Sequence, residues 1–429
     1  MTNGLPVLFG LYPKLKNKVP WVKLLTQIPT DVDQLTELEK YFEMKDGGIY
    51  VKRDDKSHHI YGGNKLRKFE FIFGKVLKNK KKAVLTNGGI GTNHGLACSI
   101  ICKELNLGCV VYLFLQPLTW HVQRTLLLLD YFGAKLYLGK GVINTFSKFM
   151  LFRLFHPKYH MMFAGGSPLL GIGSSLGTVG FINAIAELKK QIDDNIIPEP
   201  DVIYVAGATV GTAGGIIAGC KLLKLKTRVH VVNVSMELTS NPSTVAKNAN
   251  KALKYLRKKD KSIPKMKIVE EDFEFITGYL GSDYGVKTKR GQDAVDLTYK
   301  LEGKSKGFKL DTTYTGKTMA AMFDYLRKDE NKNKKVLFWN TYNSNDLDKY
   351  LRETKFDYKK LPKEFHKFYE EKVFQCWQYG NCPEKIKVEC SAYLNHEYRF
   401  WKITECKLDK EKQNLIREKV EKVIELEEA

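Results

Sequence analysis

Three segments of the chain combine residue types that could bind a phosphate and supply a reactive amine. In the first, a β-branched run from Val202 to Val205 leads into Ala206-Gly207-Ala208-Thr209-Val210-Gly211-Thr212-Ala213-Gly214-Gly215 and then into a helical pattern. Small residues and hydroxyls at a helix N-terminus leave backbone N–H groups and the positive dipole end free for a phosphate dianion. No Gly-Lys-Ser/Thr follows, so this is not a Walker loop, and the dinucleotide pattern of spaced glycines is absent. Tight strand-to-helix packing would use the same residues. In the second segment Lys65 follows Gly62-Gly63-Asn64 where a helix begins, and the dipole end there favours the neutral, nucleophilic amine. Most lysines of so basic a chain face solvent, which is the competing reading. The third segment, Thr86 through Gly91-Thr92-Asn93-His94, is another glycine-rich strand-to-helix turn. Thr92 and Asn93 could hold a carboxylate or a phenolic oxygen, and either could equally cap a helix.

The elements that must position these residues follow from hydrophobic period. Between Ile49 and about Leu351 short β-branched or aromatic runs alternate with stretches of helical spacing, the pattern of α/β units around parallel sheets. Strands are predicted at Gly48 to Lys52, Ala83 to Thr86, Cys109 to Leu115 and Lys135 to Leu138, with helices after Asn64, at His94 to Leu105 and at His121 to Phe132. The last three of these strands form a three-stranded small unit. A second series places strands at Val202 to Val205, Arg228 to Val234 and Val336 to Trp339, and helices at Ala213 to Leu223, Val245 to Leu256, Lys289 to Leu301 and Gly316 to Arg327. Beyond Phe356 the sequence turns aromatic and Lys/Glu-rich, ending in an amphipathic helical pattern from Lys407 to Glu427.

Composition bounds the function classes. At 429 residues, two or three compact units are expected, and 43% hydrophobic residues suffice to build their cores. The formal charge of +22 draws anions to the surface without naming one. Its dense basic runs, such as Lys78 to Lys82 and Arg257 to Lys261, read as helix ends and surface loops, so nucleic acid is not the expected partner. No apolar run is long enough to span a membrane and no cleavable leader is visible, so a cytoplasmic protein is expected. Cys98, Cys102, Cys109 and Cys220 lie in apolar stretches where a buried thiol is ordinary packing. Cys376, Cys382, Cys390 and Cys406 lack the close pairs of a structural zinc site and are expected to be reduced and outside the chemistry.

In order and spacing the three segments resemble the fold-type II pyridoxal-phosphate enzymes of the 1-aminocyclopropane-1-carboxylate deaminase and D-cysteine desulfhydrase family. The resemblance runs from about Leu8 to Asn345 and is strongest at Val51-Lys52-Arg53-Asp54-Asp55 through Gly62-Gly63-Asn64-Lys65-Leu66-Arg67-Lys68-Phe69-Glu70. It implies pyridoxal 5'-phosphate as cofactor and Lys65 as its Schiff-base lysine. Asn93 would stand beside the cofactor's 3-hydroxyl, Thr92 would contact substrate, and Gly207, Ala208, Thr209, Val210, Gly211 and Thr212 would form the phosphate loop. Tyr284 and Tyr314 match two tyrosines near the substrate. Thr315 takes the place against the pyridine nitrogen where deaminases proper have glutamate, and Thr341 also matches the desulfhydrase-like members. A carboxylate holds the ring as pyridinium, whereas a hydroxyl can donate to a neutral nitrogen and leaves a weaker electron sink, better suited to expelling thiolate than to opening a cyclopropane.

The resemblance therefore implies α,β-elimination on D-cysteine or a related small D-amino acid, with cyclopropane-carboxylate deamination as the alternative within the class and a cofactor-free basic binding protein as the alternative outside it. It further implies two open, twisted, mostly parallel sheets with helices on both faces and a homodimer; the stretch beyond Phe356, which has no counterpart in the family, is expected to add a small C-terminal appendage of unknown role. The expected domains are a large cofactor-binding one over 1–67 and 179–355, a small α/β one over 68–178 and an extension over 356–429. Three segments depart from the family. The phosphate loop has Ala208, Thr209 and Val210 where Gly, Ser and Gly are usual; Asn340 to Asn343 replaces a usual His-Thr-Gly-Gly; and Gly91 and Gly95-Leu96 replace a Gln and an Arg.

Overall fold

The computed structural model describes residues 4–116, 118–166, 175–237, 239–282, 284–354 and 357–370. The tail cysteines and the Lys407 to Glu427 pattern lie outside the described residues.

Ten strands form two sheets among the described residues. They are β1 (Val32–Gln34), β2 (Gly48–Lys52), β3 (Ala83–Gly89), β4 (Gly108–Phe114), β5 (Ala134–Leu138), β6 (Tyr159–Met161), β7 (Val202–Gly207), β8 (Arg228–Asn233), β9 (Glu274–Ile276) and β10 (Lys335–Trp339). The large sheet has the order β1-β2-β10-β7-β8-β9 and is parallel except for β1, which runs antiparallel to β2. The small sheet has the order β5-β4-β3-β6 and is wholly parallel. It holds four strands, one more than its sequence pattern announces. The added strand β6 is three half-buried residues at a sheet edge, too short for alternation to register.

The helices that matter for the site are α1 (Asn64–Lys78), α2 (Asn93–Glu104), α3 (Trp120–Tyr131), α4 (Val142–Phe155), α5 (Leu176–Asp193), α6 (Gly211–Leu222), α7 (Pro242–Lys259) and α8 (Thr315–Leu326). Neither α4 nor α5 was legible as a helix. Helix α4 is apolar on nearly every side, so no helical period emerges, and Ile143, Leu154 and Phe155 remain exposed. Helix α5 emerges from a glycine-dense stretch that reads as a loop, yet Gly177 and Gly180 let it approach backbone closely: a Cβ at Gly180 would stand 2.1 Å from the Arg67 carbonyl oxygen.

Helix α1 joins the two sheets and is buried on almost all sides. A closed network of ions fixes it. Arg67 donates to both Asp54 oxygens and both Glu187 oxygens at 2.7–3.1 Å, and Lys52 donates to Glu187 at 2.8 Å, Gln191 at 2.6 Å and the Thr30 carbonyl at 2.6 Å. Trp339 Nε1 donates to the second Asp54 oxygen at 2.7 Å. All these groups are buried. Burial works against each charge, but Arg67 and Lys52 together hold the Glu187 carboxyl well below the usual carboxylate range, while Asp54 and Glu187 raise the Arg67 pKa.

Glu187→Ala strands Arg67 and Lys52 in the interior without one of their counter-ions and should cost about 3–5 kcal/mol. The exposed pair Lys40–Glu37 is the control. Glu37→Ala should leave the urea midpoint nearly unchanged, because solvent screens an exposed pair, so equal shifts for the two variants would show that the network contributes nothing special.

Candidate active site

The loops that follow β2, β10 and β7, three adjacent strands of the large sheet, meet the loop that follows β3 of the small sheet. This is the crevice outside the carboxyl ends of parallel strands, where ligands bind in open α/β sheets. These loops are residues 53–63, 340–343, 208–212 and 90–92, and Lys65, Asn93 and Thr315 lie in the first turns of the helices that follow or adjoin them.

Two glycines place Lys65. Gly63 has φ +101°, and a Cβ there would stand 2.7 Å from the Thr341 carbonyl oxygen; at Gly62 a Cβ would fall 1.7 Å from the Asp55 carbonyl oxygen. The turn is held by Gly63 N–H to the Asp54 carbonyl (2.6 Å), Gly62 N–H to Asn343 Oδ1 (2.8 Å) and Asn64 N–H to the Thr341 carbonyl (3.2 Å). Lys65 Nζ then donates to Asn64 Oδ1 at 2.8 Å, and Asn64 Nδ2 donates to Thr212 Oγ1 at 3.1 Å. A single side chain thus couples the amine to the first turn of α6. Burial lowers the Lys65 pKa to about 8, with Asp311 opposing the shift. Desolvation is therefore the main cause, where the sequence argument relied on the helix dipole. Burial also pulls down a second lysine one turn away, Lys68, whose Nζ donates to the Gly165 carbonyl at 2.9 Å.

The turn from β7 into α6 fits a phosphate. No side chain caps α6 and no acidic residue stands in its first turn. Val210, at the N-cap, has φ +46° in the left-handed region, which costs a β-branched residue about 1–2 kcal/mol. Here the departure from a glycine at this position has a measurable backbone consequence. Thr209 lies against Gly165, where a Cβ would come within 2.4 Å of its hydroxyl.

On the small-sheet side, Thr92 caps α2 by accepting from the Gly95 N–H at 3.1 Å, so the capping alternative is realised. Asn93 is the first residue of α2, and its carbonyl accepts from Tyr61 Oη at 3.2 Å. Across the crevice the hydroxyls of Tyr284 and Tyr314 hydrogen-bond to each other, with the rings edge-on at 6.1 Å. Thr315 opens α8, but its hydroxyl proton is engaged: Oγ1 donates to Asp311 Oδ1 at 2.6 Å and accepts from the Asp311 N–H at 2.7 Å. The same carboxylate receives the N–H groups of Thr313, Tyr314 and Thr315 at 2.9–3.1 Å. A donor from Thr315 to a neutral ring nitrogen would first have to leave Asp311.

Asn64, Asp311 and Lys68 carry no role in the sequence argument. Asp311 had a readable signal, an acidic residue five positions before the helix start expected at Gly316; the contacts of Asn64 and the burial of Lys68 had none.

The chain belongs to a family of pyridoxal-phosphate-dependent enzymes: the family model described as "Pyridoxal-phosphate dependent enzyme" matches residues 24–341. Among its relatives, the D-cysteine desulfhydrases of Salmonella typhimurium and Salmonella newport are 27% identical over 325 residues, covering 73% of this chain and 91% of theirs. Solved structures agree on the fold. An ACC deaminase homologue covers 79% of this chain and 95% of its own at TM-score 0.64 and 24% identity, and a pyridoxal 5'-phosphate-dependent aspartate racemase covers 80% and 96% at TM-score 0.53 and 15% identity. The cofactor is pyridoxal 5'-phosphate, and the residues present suit it: an uncapped helix N-terminus without carboxylates, and a buried lysine whose amine is half neutral near pH 8.

Two outcomes follow. The rate at which apoprotein combines with pyridoxal phosphate should rise about tenfold per pH unit below 8 and flatten above it, as the neutral amine becomes the dominant form. Borohydride should then fix the cofactor on Lys65, and Lys65→Ala should abolish the adduct; recovery of the label on Lys68 would refute the assignment. Thr212→Ala removes both a hydroxyl of the phosphate turn and the acceptor of Asn64. It should weaken cofactor affinity by about 1.5–3 kcal/mol, and titration of the apoprotein would show no change if the turn is not the phosphate site.

Proposed function

We propose that the chain is a lyase catalysing α,β-elimination on D-cysteine or a closely related β-substituted D-amino acid, giving pyruvate, ammonia and sulfide. The observation that carries this reading is Thr315: the residue at the start of α8, in the position that the resemblance sets against the pyridine nitrogen, has no carboxylate of its own to hold the ring as pyridinium, and its hydroxyl donates to Asp311 until the ring nitrogen competes for it. The names of the Salmonella relatives support the same substrate class.

Pyridoxal phosphate supplies, when bound, an electron sink for the pair left at the substrate α-carbon. The chain's own residues do the rest. The α6 N-terminus, with Thr209 and Thr212, holds the phosphate. Lys65, neutral for an appreciable fraction of the time near pH 8 because burial disfavours its charge, takes the α-proton. Asn64 orients that amine. Asn93 holds the ring oxygen and Thr92 the substrate carboxylate, for which its hydroxyl, already accepting from Gly95, still has a donor to give. Tyr284 and Tyr314, whose hydroxyls hydrogen-bond to each other, stand on the leaving-group side. Burial raises both of their pKa values, so each keeps its phenolic proton and one can pass it to a departing thiolate.

Sulfide from D-cysteine, assayed beside 2-oxobutyrate from the cyclopropane amino acid, tests the reading. The wild type should make sulfide, and Thr315→Glu should shift the ratio toward 2-oxobutyrate. A wild type that makes only 2-oxobutyrate would establish the deaminase alternative. A purified protein with no cofactor absorbance after reconstitution would leave only the binding-protein alternative.

A further inference from the structure

Three thiols meet behind α2, away from the groups that line the crevice. Cys98 and Cys102 stand one turn apart on the same face of α2, and Cys109 is the second residue of β4. All three are buried free thiols in the main apolar core, and Cys109 is flanked in the sheet by Val84 and Ala134. Their sulfurs all lie within 4.8 Å of one another, and Cys109 Sγ is 4.0 Å from Cys98 Sγ. With a bond to sulfur of about 2.3 Å, as in zinc thiolates, three sulfurs around one centre stand about 3.5–4 Å apart. The triangle is close to that size before anything binds.

Charge selects the occupant. Net charge left in an apolar interior is expensive. Three thiolates around a monovalent ion retain two negative charges and around a divalent ion one, whereas around a trivalent centre they retain none. We propose that Cys98, Cys102 and Cys109 form a three-thiolate site for a trivalent, thiophilic centre of the arsenic and antimony type, taken up as the neutral oxyacid. Three arsenic–oxygen bonds break and three arsenic–sulfur bonds form. Each thiol proton leaves with a hydroxide as water, and arsenic stays trivalent, so neither oxidant nor reductant is consumed. Entry is short: Gly108, next to Cys109, is exposed, as are Lys103 in the last turn of α2 and Asn106 in the turn that joins α2 to β4.

The experiment uses the full-length reduced protein, incubated with sodium arsenite and freed of excess by gel filtration. Arsenic per chain is read by elemental mass spectrometry, and its sulfur coordination by X-ray absorption on the unmodified protein, a measurement that does not depend on any variant folding. The expected result is one retained arsenic bound by three sulfurs. Retention should fall at least about tenfold in Cys98→Ser and in Cys109→Ala, and should persist in Cys220→Ser and in a variant with Cys376, Cys382, Cys390 and Cys406 all changed to Ser. Absence of retained arsenic, a two-sulfur centre, retention that survives Cys98→Ser, or loss on changing the tail cysteines would each overturn the proposal. Stoichiometric binding of copper(I) without arsenite binding would overturn the charge argument.

Discussion

The structure depends on the buried charges of Arg67, Asp54, Glu187 and Lys52. Arg67 projects from the first turns of α1, Asp54 from the loop after β2, Glu187 from α5 and Lys52 from β2 itself, and Trp339 ties the end of β10 to the same carboxylate. Bringing four ions into an interior is costly unless each finds several partners in good geometry. Here Arg67 can satisfy two carboxylates only if α1, α5 and β2 stand in one relative arrangement. Alternative packings of α1 would bury at least one charge without its counter-ion. The network is consequently a device for specificity of arrangement more than for net stability.

That arrangement is what the crevice needs. Lys65 lies two residues from Arg67, so whatever fixes the guanidinium also fixes where the amine emerges. The Gly62-Gly63 turn passes beneath Thr341 and Asn343 at the end of β10, and Asn64 reaches across to Thr212 at the start of α6. Three strand ends of one sheet are in this way laced together by backbone and amide contacts before any ligand enters. Asp311 performs the corresponding service at α8, gathering three backbone N–H groups and the Thr315 hydroxyl on a single carboxylate.

Much of this was legible in the sequence, and the reasons for the omissions are physical. The strand-to-helix turns at 62–65, 86–94 and 206–212 announce themselves because glycine and hydroxyl residues concentrate where backbone must pass closely and N–H groups must point outward. The central strands were visible because both of their faces are buried and their residues are β-branched. By contrast β1, β6 and β9 are three-residue edge strands whose pairing is decided by their neighbours. Helix α4 lacks a polar face, and the start of α5 was hidden by glycines that serve helix packing rather than a loop. At the site, residue types were readable and partnerships were not. Nothing in the order of residues says that Thr315 gives its proton to Asp311, that Asn64 bridges to Thr212, or that burial more than dipole shifts Lys65.

The backbone at Val210 bears on how much sequence change the chain can absorb. A valine held at φ +46° carries its conformational penalty in the folded state whether or not a phosphate is present, so the penalty subtracts from the stability of the whole molecule. Natural domains keep only about 5–15 kcal/mol between folded and unfolded chains, and about 1–2 kcal/mol held in one residue is a sizeable part of that margin. A lineage carrying valine here has correspondingly less tolerance for destabilising substitutions elsewhere than one carrying glycine. Glycine in its place would widen that tolerance without touching a single catalytic side chain.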